Sequence, residues 1–209
     1  MVLSGLSLQF EIIIIDDGSN DSSYEIALQL ADIYKGKVAV KCHLKNYGYG
    51  LALRSGFDMA LFDLCLLCDA DGQFDVSEIK KLLPYIKDYD IVLGYRLVRN
   101  DPFYRRLLGG IWKLTIRQLL EVNFKDVNCG LKLFKSEAIR SLHLYSHGGT
   151  ISAEILTKAR QAKMRIKEVA VNHKPRINGK STGANIKTIA RMCYELMVIT
   201  NENRINQAA

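Results

Sequence analysis

The sequence predicts an α/β fold in a single domain of 209 residues, with a mostly parallel sheet covered by helices on both faces. Three observations support this prediction. Short apolar segments alternate with amphipathic ones in the first half, the connections between them are short, and no linker, internal repeat or low-complexity stretch interrupts the chain. Strands and helices that alternate with short connections are typical of a parallel sheet.

Each element of the first half follows from its side-chain pattern. Four β-branched or aliphatic runs predict strands at Phe10–Ile15, Val38–Cys42, Leu64–Cys68 and Asp90–Gly94. Three amphipathic segments predict helices between them. The first is capped by Asp21 or Ser22 and turns Ile26, Leu30, Ile33 and Tyr34 inward. The second, from about Leu51 to Phe62, turns Leu53, Phe57 and Leu61 inward. The third starts at a capping box of Asp75 and Glu78 and ends at Ile86.

The second half has longer helices and a basic character. Its predicted elements are a helix at Phe103–Glu121, a strand at Val127–Phe134, a helix at Thr150–Ala162, a strand at Arg165–Val171 and a helix at Asn185–Thr200.

Composition excludes several classes of protein. Hydrophobic residues make up 48% and charged residues 24%, which is typical of a folded protein. The longest aliphatic runs, such as Ile12–Ile15, fall far short of the ~20 apolar residues of a membrane helix. Five cysteines are an odd number for a disulfide framework. We therefore expect a cytoplasmic protein, and not a secreted disulfide scaffold, a membrane-spanning protein or a fibrous protein.

Charge is distributed unevenly along the chain. Residues 1–80 contain 6 Lys and Arg against 12 Asp and Glu, a net charge of −6, and the remaining residues contain 23 against 10, a net charge of +13. Two unequal solvated surfaces would explain this, and a basic half could also suit nucleic acid or an anionic membrane. The alternative is an acidic half that holds a cation and a basic half that holds phosphates.

Two acidic clusters follow predicted strands, Asp16-Asp17 after the first and Asp69-Ala70-Asp71 after the third. Ligands of open α/β sheets bind outside the carboxyl ends of the strands. Asp69 and Asp71, two residues apart in extended chain, project to the same side. Paired carboxylates of this kind suit a hard cation, Mg²⁺ or Mn²⁺, bound together with a phosphate. The alternative is that both clusters are helix caps and turn residues.

Five motifs in fixed order carry a family resemblance. They are the two acidic clusters, Gly94-Tyr95-Arg96 with Arg105 and Arg106, the segment Asp126–Phe134, and His173-Lys174-Pro175-Arg176 with Gly179–Gly183. Together they resemble the family 2 glycosyltransferases of GT-A fold, a Rossmann-like α/β architecture, and specifically the dolichol-phosphate mannosyltransferase-like group. The resemblance spans about Phe10 to Met197. It implies a donor and metal half at about residues 10–95 and an acceptor half at about 96–200.

The resemblance implies a hexosyltransferase that moves a sugar, with inversion, from a nucleotide-diphosphate sugar of the GDP-mannose or UDP-glucose type to a polyprenyl phosphate. It implies these roles: donor binding by Asp16, Asp17 and Gln73; a Mg²⁺ or Mn²⁺ ion on Asp69 and Asp71; catalysis by Asp71, Arg96 and Asp126; and binding of acceptor and phosphates by Arg96, Arg105, Arg106, Arg176 and Lys180. Asp126 and Glu154 either orient the acceptor and its basic partners or form structural ion pairs. The partners include a peripheral membrane surface on the cytoplasmic face and exclude nucleic acid.

The sequence departs from the family at its start. Members of the family open with an additional central strand and a Pro-x-x-Asn-Glu stretch, whereas nine residues precede Phe10 here. An unpaired strand edge is costly. We therefore expect a chain that is truncated relative to the family, with reduced stability or weak donor binding.

Other interpretations remain at this point. Asp69-Ala70-Asp71-Gly72 is similar to the Asp-x-Asp-Gly of haloacid-dehalogenase-type phosphatases, although Gln73 stands where they carry Thr or Val. Gly179-Lys180-Ser181 is similar to a P-loop, but Lys174 occupies the position of its first glycine. A degenerate, non-catalytic binding module of the same transferase fold is the second choice after the enzyme.

Overall fold

The structure, a computed structural model, describes residues 3–6, 8–97, 103–120, 123–175 and 186–208. Within these residues the strands are β1 Ile12–Asp16, β2 Val38–Cys42, β3 Leu64–Cys68, β4 Ile91–Arg96, β5 Leu131–Lys135 and β6 Ile166–Val171. The α-helices are α1 Ser23–Ile33, α2 Tyr49–Met59, α3 Ile79–Leu82, α4 Phe103–Leu120, α5 Ser136–Ser141, α6 Ile151–Gln161 and α7 Ile186–Ala208. None of the described helices combines the length and hydropathy that a membrane crossing requires.

The strands form two sheets. β1 and β2 pair in parallel, and the larger sheet has the order β3-β5-β4-β6. In the larger sheet β4 and β6 are parallel, whereas β5 runs antiparallel to both of its neighbours. The predicted α/β class is confirmed. The sheet is mixed because β5 enters it from the opposite end, which strand patterns alone do not specify.

Helix α2 packs on both sheets. A Cβ at Gly56 would lie 3.6 Å from Ile15 Cγ1 of β1, while the Phe57 ring meets the Phe134 ring of β5 edge to face at 5.6 Å. No hydrogen-bonded ladder joins β1 to β3 in the described residues. The contacts of α2 with both sheets therefore help to hold β1 in its position relative to β3.

The core lies on both faces of the larger sheet. On one face Phe57, Phe134 and Leu156 belong to a buried cluster to which α2, α6 and α7 contribute, and on the other Leu82 and Leu133 belong to a second cluster with α3. Successive residues of a strand point to opposite faces. Accordingly Leu131 and Leu133 of β5 face α3, whereas Phe134 faces α2.

The predicted inward face of α1 is wrong. Ala27 is the buried residue of this helix, while Ile26 is 52% and Ile33 69% exposed, and Leu30 and Tyr34 are also exposed. The small Ala27 side chain is therefore the part of α1 that packs inward, and the larger side chains remain exposed. The hydrophobic period identified the helix but not the face that packs.

The next two helices differ from the prediction at their ends. α2 ends at Met59, so Leu61 lies beyond it and is 83% exposed. The third predicted helix is broken into a 3₁₀ turn at Val76–Glu78, the short α3, and a second 3₁₀ turn at Leu83–Tyr85 that contains Pro84. Proline cannot donate the backbone hydrogen bond that an α-helix needs. Asp75 caps this segment by accepting from Ser77 N at 2.9 Å.

The elements of the second half lie close to their predicted positions. The exceptions are β5, which begins at Leu131 because residues 126–129 form a turn, and the short α5, which was not predicted. In addition, α7 continues to Ala208, beyond the predicted end at Thr200.

Candidate active site

The acidic residues after β1 and β3 meet at the N-terminus of α2. Asp17 accepts hydrogen bonds from Tyr47 N at 3.1 Å and Gly48 N at 2.7 Å. The hydroxyl of Tyr49, one residue further on, donates to Asp69 Oδ1 at 2.8 Å. The segment 47–49 therefore connects the two predicted acidic clusters.

Asp16, the last residue of β1, stabilises the turn that follows this strand. Its carboxylate accepts from Ser19 N at 3.1 Å and from Cys42 Sγ at 3.3 Å. Burial alone would raise the pKa of Asp16, but the hydrogen bonds from Ser19 and Cys42 outweigh burial and lower the pKa overall. Asp16 is thus held as a carboxylate at neutral pH.

Asp17 belongs to a chain of three polar side chains. His43 Nδ1 lies 2.7 Å from Asp17 Oδ1, and His43 Nε2 lies 2.9 Å from Ser55 Oγ of α2. His43 and Ser55 are both buried. This chain orients the Asp17 carboxylate, and both of its oxygens contact protein groups. A contact between Asp17 and the nucleoside stays a prediction.

Asp69, which is half-buried, is held by neighbours directly before β5 and at the start of α2. Its backbone N–H donates to Gly130 O at 3.0 Å, and a Cβ at position 130 would lie only 2.0 Å from Asp69 Oδ2. Burial, together with Asp69 and Asp71, raises the pKa of Tyr49 far above its usual value, so its hydroxyl stays a donor. Tyr49 and Gly130 therefore define the direction of the carboxylate.

The loop after Asp69 meets the start of the late basic segment. Gln73 N donates to Asp71 Oδ1 at 3.1 Å, and Lys174 N donates to Gln73 O at 2.8 Å. Lys174 Nζ also lies 3.3 Å from Asp75 Oδ2. Lys174, at the start of the basic segment, therefore contacts the acidic loop. Arg176 and Lys180, two predicted phosphate-binding residues of that segment, lie outside the described residues.

Arg96, at the end of β4, is fixed by Asp126. Its Nε and Nη2 donate to the two carboxylate oxygens at 2.6 and 3.0 Å. The two side chains are only 11% and 10% exposed. Asp126 is therefore the partner of a basic residue, which agrees with both of its interpretations. Arg105 and Arg106 lie in α4, but their side chains are outside the described part of the structure.

Glu154 forms structural contacts. It is fully buried in α6, accepts from Tyr145 N and Ser146 N, and pairs with Lys158 Nζ at 3.0 Å. These contacts favour the structural interpretation of this residue over a role in orienting the acceptor.

The side chains that could bind a metal limit the kind of metal site that the protein can form. The described residues contain no group of three or more His, Cys, Asp and Glu side chains that could hold a metal. Mg²⁺ is commonly held by one or two carboxylates together with water and substrate phosphates. Asp69 and Asp71 fit such a site, and the close partners of Asp69 restrict the side from which an ion could approach.

The sequence interpretation did not identify Tyr49, His43 or Gly130 as site residues. One available signal was the segment Asn46-Tyr47-Gly48-Tyr49-Gly50, in which one glycine directly precedes α2 and another lies in its first turn. Gly48 has φ +111°, and a Cβ at Gly50 would lie 2.3 Å from Ser146 O. Glycine is required at Gly50 because another backbone passes this close.

Curated relatives match most of the chain. The undecaprenyl-phosphate 4-deoxy-4-formamido-L-arabinose transferase of Edwardsiella ictaluri (strain 93-146) is 31% identical over 190 residues, which cover 90% of this chain and 57% of the relative. The dolichyl-phosphate beta-glucosyltransferase of Trichomonas vaginalis (strain ATCC PRA-98 / G3) is 30% identical over 216 residues, which cover 94% of this chain and 63% of the relative. The chain thus spans about three fifths of the length of these relatives.

Solved structures share the fold at low sequence identity. Glucosyl-3-phosphoglycerate synthase from Mycobacterium tuberculosis superposes with a TM-score of 0.64 at 15% identity, over 92% of this chain and 68% of that one. Mannosyl-3-phosphoglycerate synthase from Rubrobacter xylanophilus superposes with a TM-score of 0.59 at 16% identity. The match covers 96% of this chain and 65% of that one. Because residues 2–142 match the profile described as "Glycosyl transferase family 2", the chain belongs to that family.

Proposed function

We propose that this chain transfers a sugar from a nucleoside-diphosphate sugar to a polyprenyl phosphate, with inversion and with the help of Mg²⁺ or Mn²⁺. The observation that carries the proposal is the meeting of the Asp69–Asp71 loop with the basic segment that begins at Lys174. The printed names of the relatives, an undecaprenyl-phosphate and a dolichyl-phosphate transferase, support the acceptor class.

The donor side of the reaction uses charge complementarity. Asp69 and Asp71 would hold the cation, and Tyr49 would keep Asp69 aimed at it. The cation, when bound, supplies positive charge to the diphosphate leaving group. The Mycobacterium tuberculosis synthase, which shares the fold, has been crystallised with Mn²⁺ and UDP, and this supports a divalent ion. Asp16, Asp17 and Gln73 would line the donor pocket.

The acceptor side relies on fixed cations. A polyprenyl phosphate is already an anion at neutral pH, so a strong general base is unnecessary. Arg96, oriented by Asp126, would bind its phosphate together with Arg105 or Arg106, and Arg176 and Lys180 would bind the phosphates from the late segment. Positioning and preorganised charge supply the acceleration. The acceptor lipid implies that the protein works at the cytoplasmic face of a membrane.

A transfer assay tests the proposal. The protein is incubated with polyprenyl phosphate and with GDP-mannose or UDP-glucose, with and without Mn²⁺ or Mg²⁺, and the glycolipid is detected by mass spectrometry. We expect metal-dependent product from one donor, loss of product in Asp69→Asn, and full activity in Asp58→Asn, which alters an exposed carboxylate of α2.

Two results would contradict the transferase. Metal-dependent nucleotide binding without any product would favour the non-catalytic binding module. Hydrolysis of an aryl phosphate without sugar transfer would favour the phosphatase.

A further inference from the structure

A lysine is buried in the middle of the larger sheet. Lys132 of β5 is 1% exposed and is among the largest fully buried side chains of the described residues. It lies opposite Leu67 of β3 and Leu93 of β4, so the sheet surrounds it on both sides. Lysine is almost never fully buried unless its amine has partners. Its position therefore requires an explanation, and the roles assigned above do not use it.

The amine of Lys132 connects a turn to a helix. Nζ donates to the backbone oxygen of Cys129 and to Ser152 Oγ at 3.3 Å, in the first turn of α6. Cys129 N in turn donates to Asp126 O at 3.3 Å. The segment 126–130 is thus tied at one end by its own turn and at the other by a buried side chain.

This turn contacts both predicted halves of the site. Asp126 holds Arg96, the predicted acceptor-phosphate residue, through two hydrogen bonds. Gly130 accepts from Asp69 N and lies against the Asp69 carboxylate, the predicted metal ligand. A small shift of residues 126–130 would therefore move Arg96 and Asp69 together.

The sheet register places Lys132 close to this carboxylate. Lys132 pairs with Leu67, and Asp69 follows two residues later, directly after the end of β3, where its N–H still donates to Gly130 O. The two side chains therefore leave the sheet on the same face. Diagonal neighbours of this kind have Cα atoms roughly 7–8 Å apart. The Lys132 side chain, whose amine donates to Cys129 O, therefore extends on the face of the sheet that carries Asp69.

We propose that Lys132 is a positioning residue, which sets the relative placement of the metal-side carboxylate and the acceptor-side guanidinium by fixing the 126–130 turn. It acts through Cys129, Gly130 and Asp126 and does not itself touch substrate. The kinetic part of this inference rests on the proposed transferase function, whereas the structural part can be tested without any activity.

The test compares Lys132→Met with Lys135→Met in the full chain. Met has a similar length and no donor, so it keeps most of the side-chain volume and removes the hydrogen bonds from Nζ to Cys129 O and Ser152 Oγ. Lys135, three residues along β5, is the matched control, since its side chain is 35% exposed and pairs with Asp90. Lys132→Arg restores a donor and a charge.

Hydrogen exchange followed by mass spectrometry provides the first measurement. We expect Lys132→Met to speed exchange of the Asp69 and Cys129 amides, whose acceptors lie in the turn, while Lys135→Met leaves both unchanged. Unchanged protection of these two amides in a folded Lys132→Met protein would overturn the proposal. This result does not depend on whether the chain is a transferase.

Steady-state kinetics provide the second measurement. Residues that orient metal or substrate groups from outside the first layer of contacts are typically worth about 10–100-fold. We expect a loss of that size in kcat/KM for both donor and acceptor in Lys132→Met, and partial recovery in Lys132→Arg. Normal kinetics despite faster exchange would also overturn the proposal. Wild-type protein without any transfer would instead refute the proposed function, and the exchange data would then decide on Lys132 alone.

Discussion

At the residue scale, the Tyr49 hydroxyl orients the Asp69 carboxylate by a hydrogen bond. Removing it in Tyr49→Phe leaves the ring in place and deletes the hydrogen bond that the hydroxyl donates to Asp69 Oδ1. We expect the Mn²⁺ concentration for half-maximal activity to rise about 10-fold, the lower end of the range for residues that orient metal ligands. The measurement is a metal titration of transfer, with Tyr34→Phe, at the end of α1, as the control. An unchanged titration would remove Tyr49 from the site.

Asp126 provides a second prediction at this scale. Because Arg96 and Asp126 are nearly buried, Asp126→Ala leaves a guanidinium without its carboxylate, which typically costs about 3–5 kcal/mol. We expect a fall of this order in the free energy of unfolding, measured with urea, and a larger increase in KM for the acceptor than for the donor. Asp58→Ala should change neither. Equal increases in both KM values would contradict the assignment of Arg96 to the acceptor.

Single residues show what a sequence can and cannot reveal. The positions of Asp17 and Asp69 after strands were enough to predict that they lie near each other, and the structure connects them through residues 47–49. The prediction of a single sheet was wrong, because β1 and β3 belong to two sheets. The pairing of Asp17 with His43 could not be predicted, because 26 residues separate them and only the parallel pairing of β1 with β2 brings them together.

At the scale of elements, the N-terminus of α2 depends on close backbone packing. A Cβ at Gly50 would lie 2.3 Å from Ser146 O, whereas one at Gly56 in the same helix would meet only Ile15 Cγ1 at 3.6 Å. We expect Gly50→Ala to destabilise the protein by about 1–3 kcal/mol through overpacking. Gly56→Ala should be neutral or stabilise by up to about 1 kcal/mol through helix propensity. Thermal unfolding of the two variants measures both effects, and equal melting temperatures would contradict the packing of this helix.

Elements were predicted better than their packing faces. All six strands were predicted, four of them from apolar runs that end in turns, although β5 begins at Leu131 and not at the predicted Val127. The inward face of α1 was wrong because a small residue, Ala27, makes the close contact. The direction of β5 was not predictable, since it depends on the path of the chain through α4, and apolar patterns carry no information on direction.

At the scale of the whole molecule, acidic side chains make stability depend on pH. Hydrogen bonds from Ser77 lower the pKa of Asp75 from 3.8 to about 2, and the bond from Lys135 lowers the pKa of Asp90. A carboxylate whose pKa is lower in the folded state stabilises the protein above its unfolded pKa. This contribution is lost as the pH falls from about 4 toward 2.

We therefore expect the urea midpoint to be constant between pH 6 and 5 and to fall between pH 4 and 2.5. Asp75→Asn should reduce that fall, because it removes one of the shifted groups. A midpoint that stays constant down to pH 2.5 would contradict these contacts.

The acidic and basic halves of the sequence contact each other at the Asp69–Asp71 loop. The acidic first half contributes the Asp69–Asp71 loop, and the basic second half contributes Lys174, which contacts that loop through Gln73 and Asp75. At this loop a basic residue of the second half therefore lies beside acidic residues of the first half.

The central claim is that Asp69 and Asp71 bind a divalent ion together with the diphosphate of a nucleotide. Calorimetric titration of UDP and GDP, with and without Mn²⁺, into the wild-type protein, Asp69→Asn and Asp58→Asn tests it most directly. We predict binding of one nucleotide that requires Mn²⁺, is lost in Asp69→Asn and is retained in Asp58→Asn. Binding that is equally tight without metal, or that survives Asp69→Asn unchanged, would contradict it.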